Sequence, residues 1–289
     1  MKKFKLGEFE RNSAIVFAIS MLANVVTYLY QIVMGNLLSP ADYGTINTLL
    51  SLSIVIGVPS GIISTLVATY TAKYQAVGKP ELIGGFMHKM LRASVLLACV
   101  VFAAGAALSS IIANVLQIEE TRYILATMVV VAFSCVAPVF SCTLQGVKRF
   151  VPYSINGVLN IAIRLLLSIP FVWMGFGIGG NLAAVILAAF ATAAFCFWRA
   201  RDLFFAPKIE QLHLDRTEIR SYFVSTFWFQ LFLLLMANGD VLLIKTFAAD
   251  PAEVGIYSSG SVIGKISLYL ANAIVPVLLP MVAECQSTG

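Results

Sequence analysis

Four polar side chains recur at four-residue intervals within one apolar stretch, residues 152–174: Asn156, Asn160, Arg164 and Ser168. This spacing places them on one face of a helix. Arg164 lies about twelve residues, or about 18 Å at helical rise, into that stretch. A guanidinium presents planar N–H donors that bind phosphate or pyrophosphate bidentately. The pattern predicts either an anion-binding face or an arginine satisfied inside the packed helices by backbone carbonyls and Asn160.

A second polar face lies in the first apolar stretch of the chain, residues 13–37. Ser20, Asn24, Thr27 and Gln31 recur there at helical spacing. Polar groups inside hydrocarbon are costly unless they face a cavity or one another. We therefore expect Asn24 and Gln31 to line the same substrate-binding region as the Arg164 face.

Asp240 and Lys265 are two further charges within apolar stretches. Each lies about 15 Å along its helix from the connection at 250–255. One interpretation is an ion pair between neighbouring helices. The other is that Asp240 is a protonatable coupling site and Lys265 a second contact for an anion.

Residues typical of catalysis and metal binding are sparse. The chain has five Cys and two His, His88 and His213, and no C-x-x-C spacing. We expect the cysteines to be small buried hydrophobic residues. No catalytic residue, metal site or cofactor is therefore expected.

The composition is that of a membrane protein. Hydrophobic residues make up 60% of the chain, charged residues 11%, and the mean hydropathy is +0.91. A spanning helix needs about 20 apolar residues. We predict an all-α polytopic membrane protein with eight transmembrane helices, and we expect Pro59 and Pro138 to bend theirs. The predicted spans are 13–37, 45–70, 88–114, 123–145, 152–174, 180–199, 221–246 and 255–281.

Basic residues are concentrated in alternate connections between these spans. One set of connections and its flanks contains Lys2, Lys3, Lys5, Arg11, Lys73, Lys79, Lys89, Arg92, Lys148, Arg149, Arg199, Arg201, Lys208, Arg216 and Arg220. The other set contains only Arg122 and Lys245. Basic loops stay in the cytoplasm. We therefore expect a multi-pass protein of the cytoplasmic (cell) membrane with a cytoplasmic N-terminus.

One motif occurs twice, after the first predicted span and after the seventh. "SPADYG" at 39–44 and "DPAEVG" at 250–255 align Pro40 with Pro251 and Gly44 with Gly255. We expect each proline to end a helix and each glycine to start the next span. A parallel duplication, typical of transporters, explains both copies. It predicts a six-helix first lobe (1–200), a cytoplasmic linker (201–220) and the first two helices of a repeated second lobe (221–289).

Several stretches resemble the oligosaccharide flippase family, which belongs to the superfamily of multidrug and oligosaccharidyl-lipid exporters. They are "GNLLSPADYGTINTLLSL" (35–52), "GVPSGI" (57–62), "LQGVKRF" (144–150), "NGDVLLIKTF" (238–247) and "GIYSSGSVIGKI" (255–266). The resemblance implies alternating-access transport of lipid-linked oligosaccharides from the inner to the outer leaflet. It also implies a lipid pyrophosphate and membrane lipids as partners, and no nucleic acid.

Other functions remain open. A multidrug or organic-cation antiporter of the same superfamily should present an acidic residue in its first lobe, and the predicted first-lobe spans contain none. A membrane enzyme needs a large external loop with catalytic residues, whereas the loops here are short. Because the resemblance implies a complete second lobe, we expect either a fragment completed by a missing segment or partner chain, or an inactive truncated product.

Overall fold

The computed structural model describes residues 6–76, 78, 81–205 and 216–265, with the backbone alone at 6–16 and 216–222. Within these ranges all regular structure is helical, which confirms the predicted all-α fold. The helices are α1 (Leu6–Leu37), α2 (Pro40–Ile56), α3 (Val58–Ala76), α4 (Glu81–Ala107), α5 (Ser109–Val115), α6 (Thr121–Gly146), α7 (Phe150–Phe171), a π-helical turn (Val172–Phe176), α8 (Gly177–Phe204), α9 (Arg216–Phe247) and α10 (Pro251–Gly264).

Five helical stretches are long and apolar enough to cross a membrane, or six if α2 and α3 together form one span. α2 and α3 are bent by 50° at their junction, where Gly57 separates them just before Pro59. The bend expected at Pro59 is therefore confirmed. The count of eight spans stays a prediction, because the eighth extends past Lys265 and out of the described residues. The predicted linker also lies partly outside them.

The longest of these stretches, Phe150–Phe204, contains two helices that fold back on each other. Gly175 in the π-helical turn and Gly177 at the start of α8 have φ values of +86° and +47°, which favour glycine. Far from this turn, Asn160 of α7 donates to Thr192 of α8 at 3.2 Å. Nearer the turn, Ser168 of α7 accepts from Asn181 of α8 at 3.3 Å. α7 and α8 therefore run antiparallel, as the two separate predicted spans require.

Helix α6 lies at the centre of the first eight helices. It packs against α3, α4 and α8. Its buried Cys135 and Cys142 contact apolar residues of α3 and α4. Cys196 of α8 is buried in the same cluster as Phe140 and Leu144 of α6. Cys135, Cys142 and Cys196 thus serve as small hydrophobic core residues, as predicted, whereas Cys99 is exposed.

Contacts between helix ends show which connections lie at the same end of the bundle. At one end Arg149, which precedes α7, forms an ion pair with Asp202 of α8 and donates to the carbonyl of Arg199. At the other end Gln117 donates to the carbonyl of Thr246, near the end of α9. The basic connection before α7 and the basic end of α8 therefore lie together, and the connections after α5 and after α9 also lie together.

The two copies of the repeated motif have matching structures. α1 and α9 each contain 32 residues and lead into a short turn. Pro40 and Pro251 then occupy the first turn of α2 and α10, and Ser39 and Asp250 cap these helices by accepting from a backbone N–H. The sequence-based interpretation of this turn was wrong in detail, because each proline begins a helix instead of ending one.

The two motif copies also touch each other. A Cβ atom on Gly44 would lie 2.7 Å from the amide nitrogen of Gly255, and a Cβ on Gly255 would overlap the carbonyl of Pro40. The backbones of α2 and α10 are therefore in direct contact at this crossing. Both glycines lie inside helices, where they permit close packing, so the expectation that they start the spans was also wrong.

We expect Gly255→Ala to destabilise the protein by about 1–3 kcal/mol, because the added methyl meets rigid backbone. Gly260→Ala on the same helix is the matched control, since a Cβ there meets nothing within 4 Å. The control should be neutral or slightly stabilising. Thermal unfolding in detergent measures both, and equal effects of the two substitutions would contradict the close contact.

Candidate functional site

Arg164 lies in the middle of α7, facing α1. Its Nη2 donates to the phenol oxygen of Tyr30 at 2.8 Å, and its guanidinium carbon lies 4.0 Å from the centre of the Tyr30 ring. The side chain is half-buried. Its Nε is buried and has no hydrogen-bond partner. Tyr30 therefore fixes the position of Arg164, and part of the donor set of the guanidinium stays unused.

Tyr30 is itself held by a buried network between α1, α7 and α8. Its phenol oxygen accepts from Nδ2 of Asn181 at 2.7 Å, and Asn181 also reaches Ser168 at 3.3 Å and the sulfur of Met34 at 3.4 Å. Tyr30, Asn181 and Ser168 are almost fully buried. These polar groups satisfy one another in an apolar interior, which makes the support of Arg164 rigid.

The other residues predicted on α7 have different environments. Asn160 donates to Thr192, so it does not bond to Arg164 as one interpretation required. Ser168 is buried inside the network, where it accepts from Asn181 and so supports the site indirectly. Asn156 is half-buried, and its buried Oδ1 has no hydrogen-bond partner.

The predicted residues of α1 only partly join this region. Gln31 accepts from the hydroxyl of Tyr43 at 3.0 Å and so connects α1 to α2. Asn24 is half-buried on α1. The structure thus brings Arg164 and Ser168 together with Tyr30 and places Asn156 and Asn160 farther along α7. Gln31 is engaged with another helix.

Asp240 and Lys265 lie near each other in the fold but do not form the ion pair that one interpretation required. One carboxylate oxygen of Asp240 accepts from Tyr257 at 3.0 Å and from Ser261 at 3.1 Å. The other oxygen is buried without a partner. Lys265 instead reaches Oδ1 of Asn238 at 3.5 Å. Among the described side chains the ion pairs are Arg122–Glu120 and Arg149–Asp202.

Lys245 is a residue whose place the sequence-based analysis missed. It was assigned to an outer connection, but α9 extends to Phe247, and Lys245 is only 3% exposed. Its ammonium donates to Thr45 of α2 at 3.3 Å. Lys245 therefore links α9 to α2 beside the glycine crossing. The predicted span 221–246 already contains Lys245, so assigning the residue to that span would have signalled its burial.

No group of three or more His, Cys, Asp or Glu side chains within the described ranges is arranged to hold a metal ion. Two regions within the described ranges offer a charged group with an unpartnered buried atom, the Arg164 region and the Asp240 region. The first presents cationic donors and the second presents a carboxylate oxygen.

Solved structures share this helical arrangement. An inward-facing multidrug resistance MATE family transporter of the MOP superfamily matches with a TM-score of 0.66 and 14% identity, over 92% of this chain and 63% of that chain. A MATE in complex with Br-NRF matches with a TM-score of 0.67 and 15% identity, over 92% and 64%. The chain therefore has the fold of a membrane transporter of this superfamily.

A third structure is a MOP superfamily transporter from Pyrococcus furiosus Vc1, described as having a binding pocket of reverse polarity that suggests a different function. It matches with a TM-score of 0.55 and 15% identity, over 92% of this chain and 64% of that chain. The chain thus spans less than two thirds of the length of all three transporters.

The family described as "Polysaccharide biosynthesis protein" matches residues 9–286, so the chain belongs to that family. No curated protein matches the chain. Together with the fold, the family confirms the resemblance to polysaccharide flippases and to the MOP exporters. The chain is therefore a multi-pass membrane protein of a polysaccharide biosynthesis family.

We expect Tyr30→Phe to lower stability by about 1–3 kcal/mol, because both Asn181 and Arg164 lose their shared acceptor. Tyr28→Phe is the matched control on the same helix, since the side chain of Tyr28 is 38% exposed. Thermal unfolding of the purified protein provides the measurement. A Tyr30→Phe protein as stable as the control would contradict the proposed support of Arg164.

Proposed function

We propose that the full-length protein moves lipid-linked oligosaccharides from the inner to the outer leaflet, with Arg164 contacting the pyrophosphate. The observation that carries this proposal is the position of Arg164, a half-buried guanidinium fixed by Tyr30 with an unpartnered Nε. A charge in the apolar middle of a bundle is costly, and its retention there is typical of a substrate pathway.

The charges of the first eight helices favour an anionic substrate. Within the described side chains from 17 to 205, acidic residues lie only near helix ends or in connections. These are Asp42, Glu81, Glu119, Glu120 and Asp202. Arg164 therefore has no acidic neighbour in the middle of this bundle to neutralise it. A phosphate or pyrophosphate group would provide the missing negative charge and accept from the free donors.

The face of α7 gives the substrate a second contact. Asn156 lies two turns from Arg164, about 12 Å along the helix. Its Oδ1 is buried without a partner. We propose that a polar group of the glycan donates to Asn156 while the pyrophosphate is at Arg164. Asn160, Asn24 and Gln31 would border the same pathway, and Ser168 would position Arg164 through Asn181.

Alternating access requires one end of the bundle to open and close. At the end that carries the repeated motif, α2 and α10 are in contact at Gly44 and Gly255, and Lys245 donates to Thr45 nearby. We propose that these contacts close the pathway at this end. We propose that this end faces outward, with the basic end and the N-terminus in the cytoplasm of the cell. Residues 1–200 would then move as one lobe against a second lobe that starts with α9.

A multidrug antiporter is the second candidate, because two of the similar structures are MATE transporters. The absence of acidic side chains from the middle of the described first-lobe helices disfavours an organic cation there. The Pyrococcus furiosus transporter is an example in this superfamily of a pocket with reverse polarity. The family and the fold also favour a transporter over an enzyme.

Replacing Arg164 tests this proposal. In the full-length protein we expect Arg164→Ala to reduce export of lipid-linked oligosaccharide by at least about tenfold, since a charge-assisted bond contributes about 1.5–3 kcal/mol. Arg164→Lys should restore export only partly, because an ammonium cannot bind bidentately. Delivery of glycan to the outer leaflet is the readout, with membrane insertion checked in parallel. Export at the wild-type rate by Arg164→Ala would remove the role in phosphate binding.

Asp240 gives a separate prediction about energy coupling. We propose that its unpartnered carboxylate oxygen takes up a proton or a cation during transport, with Lys265 as a second anion contact. Asp240→Asn keeps an acceptor for Tyr257 and Ser261 but removes the charge, so insertion should persist while gradient-driven export falls. Glu253→Gln on α10, near the helix start, is the control. If Asp240→Asn responds to an imposed ion gradient as the wild type does, Asp240 is not the coupling residue.

A further inference from the structure

A cavity of 280 Å³ lies at the bend between α2 and α3, bordered by α6 and α9. Its polar lining consists of Ser53, Ser60, Ser134 and Gln230, with Gly57 and Gly61 exposing backbone. The Arg164 region is built from α1, α7 and α8, none of which lines this cavity. The rest of the lining is apolar and consists of Ile54, Val58, Val130, Val131 and Leu234. The cavity is therefore a second candidate site, mainly apolar with a few polar groups, and it is separate from the proposed contact with pyrophosphate.

The three serine hydroxyls of the cavity already donate hydrogen bonds within the protein. Each donates to a backbone carbonyl of its own helix or helix break at 2.7 Å. The bonds run from Ser53 to Leu50, from Ser60 to Gly57 and from Ser134 to Val131. Each hydroxyl oxygen keeps lone pairs for a further partner. The serines therefore present acceptors to the cavity.

Gln230 of α9 completes the lining. Its amide lies directly against Gly61, where a Cβ would overlap the amide oxygen. Glycine at this position therefore leaves the room in which the amide reaches the bend of α2 and α3. Gln230 provides both a carbonyl acceptor and N–H donors. It also comes from α9, the helix that precedes the second motif copy, so the cavity lies between helices of the two proposed repeats.

The lining favours a neutral ligand that has an apolar face and donates hydrogen bonds. No charged side chain borders the cavity, so an anion would meet acceptor oxygens and a cation would lack a carboxylate. Its size is close to the lower end of ligand pockets, about 300–1,000 Å³. A ligand of that size that donates several hydrogen bonds without carrying charge has the chemistry of one hydroxylated sugar ring.

We propose that this cavity binds one neutral sugar ring of the transported glycan through the hydroxyl hydrogens of the ring. The inference rests on the proposed function, to which it adds a glycan subsite at the α2–α3 bend. The substrate would then be held at two places, its pyrophosphate at Arg164 and a sugar at Gln230. Binding between α3, α6 and α9 would also make the glycan sensitive to movement of one repeat against the other.

Equilibrium dialysis of the purified full-length protein tests the subsite. The probes are radiolabelled neutral monosaccharides (glucose, galactose and N-acetylglucosamine) and, separately, inorganic pyrophosphate. We expect at least one sugar to bind saturably, and Gln230→Leu or Ser134→Ala to weaken it about three- to tenfold, the value of one neutral hydrogen bond. Ser141→Ala is the matched control, because Ser141 also bonds to a carbonyl of α6 but does not line the cavity.

A fluorodeoxy analogue of the bound sugar tests the direction of the hydrogen bonds. Fluorine replaces a hydroxyl at similar size but donates no hydrogen, so we expect at least one such analogue to bind more weakly than its parent. No saturable sugar binding would overturn the proposal. So would equal effects of Ser134→Ala and Ser141→Ala, or a sodium ion that binds in a Gln230-dependent manner. Loss of pyrophosphate binding in Arg164→Ala, with sugar binding intact, separates the two sites. Sugar binding that depends on Gln230 while pyrophosphate never binds would leave this subsite standing and remove the proposed anion contact.

Discussion

A guanidinium among apolar helices persists only if the surrounding groups compensate for its lost hydration, and this constraint organises the centre of the bundle. Arg164 stacks on the ring of Tyr30 and bonds to its hydroxyl. Tyr30 in turn requires Asn181, and Asn181 contacts Ser168, so α1, α7 and α8 are fixed together. The glycine-containing turn after α7 allows α8 to return along it and bring Asn181 to this position. The remaining donors of Arg164 are consequently presented in a defined direction, which is what recognition of an anion needs.

The contact between the repeated motifs has a different physical basis. Gly44 and Gly255 bring two backbones together without side chains between them, so α2 and α10 pack closely at this crossing. Lys245 adds a buried polar bond to Thr45 at the same end. The packing of α6 against α3, α4 and α8 holds the first eight helices together.

The sequence predicts the helices well, because hydrophobic length and the positions of glycine and proline are local properties. These local properties predicted the shared polar face of α7, the turn before α8 and the burial of Cys135. The hydrogen-bond partners of these side chains could not be predicted, because they depend on how distant helices are rotated against each other. Tyr30 and Asn181 are 151 residues apart. For Asp240 and Lys265, equal depth suggested an ion pair, yet depth does not specify which face of a helix a side chain occupies.

The measurement that tests the central claim most directly is competitive binding to the purified full-length protein. A polyprenyl pyrophosphate and a quaternary ammonium compound would compete against a labelled lipid-linked pyrophosphate, for the wild type and for Arg164→Ala. The account predicts that the pyrophosphate lipid displaces the label, that the cation does not, and that the Arg164→Ala protein loses this preference. Displacement by the cation alone, unchanged in the Arg164→Ala protein, would contradict the account and favour a multidrug antiporter.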